Sequence, residues 1–186
     1  TVLNGSVACV TPTAAQAGAA RLLQLPFSSG SVSGSTVVGI GTNGTLLGVA
    51  ALDSTRSGVL RLTSGAYGEV GSVVFGPEDR ALAFGSFRAS FSLQMSGGSC
   101  GQAGDSRLCG AEGVSFAYGP LQQDEPFGEE GAGEGLRVRF ITASEPRIEV
   151  VYREVLLASV AAAELRSAQL APVEVAMVSG ALSVLF

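Results

Sequence analysis

Residues 87–95, FRASFSLQM, set Phe87, Ala89, Phe91, Leu93 and Met95 against Arg88, Ser90, Ser92 and Gln94. Side chains of a β-strand point to alternate faces, so this alternation predicts an antiparallel strand with one face on a core and the other toward water. The same period recurs where Leu136, Val138 and Phe140 alternate with Arg137 and Arg139, and where Ile148, Val150 and Tyr152 alternate with Arg147, Glu149 and Arg153. Further strand candidates lie at 21–27, 36–40, 45–51, 57–63, 70–75, 113–118, 172–178 and 181–186. Turn-rich segments separate them at the spacing of a sandwich, so the predicted fold is all-β, an antiparallel β-sandwich. One segment is ambiguous. EVLLASVAAAELRSA, 154–168, is rich in helix formers and reads equally as a short helix around 160–167 or as a strand followed by a turn.

The composition supports strands and turns. Apolar residues make up 46% of the 186, charged residues only 15%, and 26 positions are Gly, a mixture that disfavours long helices. All 11 basic residues are Arg; Lys, His and Trp are absent. That removes a Ser-His-Asp triad, a Schiff-base lysine, a P-loop lysine and histidine metal ligands. A net charge of −5 with scattered Arg leaves no basic face for nucleic acid. The uncharged stretch 22–52 is broken by Pro26, Gly30, Gly34, Gly39, Gly41 and Gly44, so it does not read as a membrane span.

Cys100 and Cys109 bracket a short Gly-containing loop, and the pair reads either as a loop-closing disulfide or as two reduced thiols. Three Cys without His or a C-x-x-C do not suit zinc. Asn4-Gly5-Ser6 and Asn43-Gly44-Thr45 are N-glycosylation sequons in turn-like sequence. With the Cys loop they point to an extracellular or cell-surface location.

Residues 109–135 hold Glu112, Asp124, Glu125, Glu129, Glu130 and Glu134 with no basic residue among them. Two readings compete. Glu112 with Asp124, Glu125, Glu129 and Glu130 would form a rim for calcium or a sugar, or the acids would keep a Gly-rich connection solvated and discourage edge pairing. A hydrolase would need two carboxylates at a set separation across the scissile bond. Glu145 and Glu149 share a face but sit roughly 13 Å apart along a strand, and Glu154 falls on the other parity.

The succession GVLRLTSGAYGEVGSVVF (58–75), FGSFRASFSLQMSGG (84–98), AEGVSFAYG (111–119), FGEEGAGEGLRVRFIT (127–142), RIEVVYREVLLA (147–158) and LRSAQLAPVEVAMVSGALSVLF (165–186) resembles the concanavalin A-like lectin/glucanase β-sandwich superfamily across residues 22–186. The resemblance implies a jelly roll over residues 21–186. It places a ligand-facing acid at Glu112, with Gly113 and Tyr118 beside it as carbohydrate-binding residues; the acidic loop itself offers Asp124, Glu129 and Glu130 as alternative calcium ligands. Where lectins of this superfamily carry a metal-binding acid, this chain reads Phe140-Ile141-Thr142, so neither the metal pair nor any other cofactor is expected. The front, VLNGSVACVTPTAAQAGAARLLQL, resembles the last strands of an immunoglobulin-like TIG domain. Residues 1–20 then finish a preceding domain, with the partner of Cys9 outside the chain, or form an ordinary N-terminal strand with a spare thiol.

The superfamily sandwich continues beyond the strand LSVLF, so the fold is expected to be incomplete at its C-terminal end. The apolar edge at Leu182, Val184, Leu185 and Phe186 would then be completed by other protein segments or copies. The expected function is a non-enzymatic module of a larger secreted or cell-surface protein, acting in adhesion or extracellular assembly. The alternatives are a carbohydrate-binding module, with glycans as partners, and a glycoside hydrolase.

Overall fold

The computed structural model describes residues 2–4, 31–33, 36–39, 42–53, 56, 59–64, 68–75, 86–96, 113–121, 125–142, 145–167, 169–178 and 180–186. The expected strand 21–27, together with Cys9, Cys100, Cys109, Glu112 and Asp124, lies outside them. The described chain is all-β and every strand pair is antiparallel. The strands are β1 (Val2–Asn4), β2 (Ser31–Ser33), β3 (Thr36–Gly39), β4 (Thr42–Gly48), β5 (Ala51–Leu52), β6 (Val59–Arg61), β7 (Gly71–Phe75), β8 (Phe87–Gln94), β9 (Gly113–Tyr118), β10 (Leu136–Ile141), β11 (Arg147–Tyr152), β12 (Val155–Ala161), β13 (Ala171–Val178) and β14 (Ala181–Leu185). They form a six-stranded sheet, β14-β13-β8-β1-β6-β5, and two four-stranded sheets, β12-β11-β10-β9 and β2-β3-β4-β7.

The alternation at 87–95 is realised as expected. Phe87, Ala89, Leu93 and Met95 are buried and Phe91 packs against the same core. On the β9–β12 sheet the register lines up matching rows: Val114, Phe140 and Ile148 in one, Phe116, Val138 and Val150 in the next, Tyr118, Leu136 and Tyr152 in the third. These rows meet β8 through rings. Phe87 stacks on Tyr118 at 4.3 Å between centroids, and Phe91 meets Phe140 edge-on at 6.5 Å. Phe186, following β14, closes on Phe140 at 6.3 Å. Leu46 and Val73 bring the third sheet to the same core. β1, drawn from the front of the chain, pairs with both β6 and β8 inside the six-stranded sheet.

The ambiguous segment 154–168 resolves as strand plus turn. β11 and β12 are joined by two residues, Arg153 and Glu154, both with positive φ (47° and 65°), the geometry that a tight hairpin turn demands for strands of right-handed twist. Once that turn forms, pairing with β11 holds 155–161 extended against its helix propensity. Helical character survives only as a 3-10 turn, Ala163–Leu165, whose Leu165 enters the core.

β12 is the edge of its sheet, and all seven of its residues are exposed. Val155, Leu156, Leu157 and Val160 are each 54–65% exposed, and none joins the core. A register shift opposite Val150 and Val151 leaves Leu157 as an extra, bulged residue.

Candidate functional site

The other face of the β9–β12 sheet carries the charged residues, because the positions between the apolar rows are Ser115, Arg137, Arg139, Arg147 and Glu149. Arg139 sits opposite Glu149 in the β10–β11 register. Its Nη1 lies 3.6 Å from Glu149 Oε2, and its Nη2 lies 2.6 Å from Glu130 Oε2. Arg147 Nε donates to Glu149 Oε1 at 2.7 Å. Arg137 Nη2 lies 2.6 Å from Glu154 Oε1. Three arginines thus face three carboxylates; Arg137, Arg139 and Glu149 are largely shielded from water, whereas Glu130 and Glu154 reach them from solvent.

The acidic, Gly-rich segment 125–135 lies across this face. Phe127 N–H donates to Ser72 Oγ at 3.4 Å, tying its start to β7. Ser115 Oγ donates to Gly128 O at 2.7 Å, and the Glu130 carbonyl accepts from Arg139 Nε at 3.2 Å and from Arg137 Nη1 at 3.5 Å. A turn closed by Gly131 N–H on Gly128 O brings the chain down onto the sheet. Gly131 has φ +76° and a Cβ there would sit 2.8 Å from Arg137 Cδ, so only glycine permits both the backbone conformation and the approach.

Glu125, Glu130 and Glu134 are exposed to water, Glu130 while also paired with Arg139, and among the described residues no group of three or more Asp, Glu or Cys side chains gathers as a cation site would require. Glu129 is half-buried, with its Cβ 3.1 Å from where a Cβ on Gly113 would stand. Gly113 therefore sits at the foot of the loop. Tyr118 faces the core, stacked on Phe87. Asn4 and Asn43 fall within β1 and β4.

Sequence periodicity placed Arg137, Arg139, Arg147 and Glu149 on the polar face, yet it did not identify Arg137 as a site. Arg137 is only 5% exposed, and nothing local signals that a loop will cover it. Glu154 was assigned by parity to the opposite face; the two-residue turn breaks strand parity and delivers its carboxylate to Arg137. That contact holds the Glu154 carboxyl below the usual carboxylate range, through the short polar contact with Arg137 first, opposed by desolvation and reinforced by the charges of Arg137 and Arg139. At 2.6 Å the charges are close, but the Nη2 N–H is not aimed squarely at the oxygen, so it remains without a well-aligned acceptor, as does Nε.

No helix among the described residues is long and apolar enough to cross a membrane. Comparison of the chain with protein-family models, with curated proteins and with solved structures finds no match.

Proposed function

We propose that this chain is a non-enzymatic β-sandwich module, concanavalin-like in strand order, of a larger secreted or cell-surface protein, and that it serves adhesion or the building of an extracellular assembly. The observation that carries this reading is β12. An edge strand offers a row of unpaired N–H and C=O groups, and natural edges are usually guarded by charges or proline. β12, VLLASVA, has neither, and its bulge at Leu157 is its one guard. Its large apolar side chains stand in water on a molecule that buries comparable residues elsewhere, the mark of a surface made to be covered.

The polar face supports a structural use over a hydrolytic one. Glu130, Glu149 and Glu154 are all in contact with arginines, whereas glycoside hydrolysis needs one carboxylic acid ready to protonate and a second carboxylate ready to attack or to activate water.

Sedimentation equilibrium tests the proposal. The wild-type chain is expected to rise above its 18.7 kDa monomer mass with concentration. A variant carrying Leu157→Lys and Val160→Lys is expected to stay monomeric. A wild-type chain that remains monomeric up to millimolar concentration would overturn the reading.

A further inference from the structure

Arg137 holds a guanidinium beneath the surface whose hydrogen-bonding needs the chain meets only in part. Nη1 reaches the Glu130 carbonyl at a stretched 3.5 Å; Nε has no acceptor, and Nη2 has none well aligned. Buried N–H groups without acceptors are costly and rare, and an apolar side chain of similar length would occupy this position without that cost. The two unsatisfied nitrogens belong together. Nε and Nη2 share one edge of the planar guanidinium, which presents two parallel N–H bonds at the spacing of the two oxygens of one carboxylate. The neighbouring cations do not compete for such a group, since Arg139 holds Glu130 and Glu149 and Arg147 holds Glu149.

We infer that this edge of Arg137 is a receptor for the carboxylate of an acidic ligand and that Glu154 is its gate. The Glu154 side chain is 74% exposed, and its Oε1 meets the edge at Nη2. A ligand carboxylate that displaces it would place one oxygen on each nitrogen, and Glu154, already largely hydrated, would return to water. Gly131 and the Glu130 carbonyl wall the side of the guanidinium under the loop, so the ligand enters from the hairpin tip at Arg153 and Glu154.

Three proteins test this: the wild-type chain, Glu154→Gly, which removes the gate at a φ that glycine accepts freely, and Arg137→Lys, which keeps the charge but lacks the planar fork. The Arg137 Nε–H resonance is followed by NMR during titration with acetate, glucuronate or N-acetylglutamate at constant ionic strength, with sulfate as the control anion; Arg137→Lys is read from neighbouring backbone amides. Saturable downfield movement is expected in the wild-type chain. It should be about tenfold tighter in Glu154→Gly, where no tethered carboxylate competes, and absent in a folded Arg137→Lys. Tighter binding of glucuronate than of N-acetylglutamate would assign a sugar acid as the source of the carboxylate, and the reverse an acidic peptide. No saturable shift in Glu154→Gly, equal binding by Arg137→Lys, or sulfate binding as tightly as the carboxylates would overturn the inference.

Discussion

Replacing Phe87 with alanine tests whether the six-stranded and β9–β12 sheets share one core. Phe87 is 2% exposed, stacks on Tyr118 at 4.3 Å and lies 6.0 Å from Phe116, so its ring joins β8 to β9. Truncating a buried Phe costs about 3–5 kcal/mol through lost transfer energy and the cavity left behind. The loss of a stacked aromatic pair places this site toward the upper end, with a pair adding about 0.5–1.5 kcal/mol beyond burial. Against a typical total stability of about 5–15 kcal/mol that is a large fraction. With an m-value of about 2 kcal/mol/M in urea, the midpoint should fall by about 2 M. The matched comparison is Leu157→Ala on β12, where the side chain is 61% exposed and exposed positions usually change stability by no more than about 0.5 kcal/mol. Both variants are unfolded in urea at low concentration, followed by far-ultraviolet circular dichroism. A Phe87→Ala shift no larger than that of Leu157→Ala would refute both the inter-sheet core and the open edge.

Gly131→Ala places a methyl group against Arg137 Cδ at φ +76°; it should destabilise the chain by about 1–2 kcal/mol and increase proteolysis within 125–135, measured by limited digestion. Arg139→Met leaves Glu130 and the buried Glu149 without their shared cation and should lower the urea midpoint more than Arg88→Met, whose partner Glu174 is 3.5 Å away on an exposed surface. The Glu154 carboxyl is held below its ordinary range, so its ion pair contributes stability above the unfolded-state carboxylate pKa and loses it as pH falls through the lower folded-state value. The melting-temperature difference between wild type and Glu154→Gln should therefore be constant near neutrality, shrink on acidification through the carboxylate range and diminish with added salt.

Much of the architecture follows from local pattern. The alternation at 87–95, 136–140 and 147–153 determined both the strands and the faces of β8, β10 and β11, because backbone pleating leaves each side chain only two directions. Hydrophobicity then decides which of the two faces the core. The candidates at 36–40, 70–75, 113–118, 172–178 and 181–186 became β3, β7, β9, β13 and β14 within a residue or so for the same reason. The segment 154–168 was not determined in this way. Its Ala and Leu residues are compatible with either state, and only pairing with β11 across a strained two-residue turn selects the strand. Nor did sequence decide that Arg137 would be buried, that Glu130 would reach Arg139, or that Glu154 would cross to the face its parity denied it. Those relations depend on where a glycine-rich loop and a turn set side chains distant in sequence, and charge interactions follow distance in space, not separation along the chain.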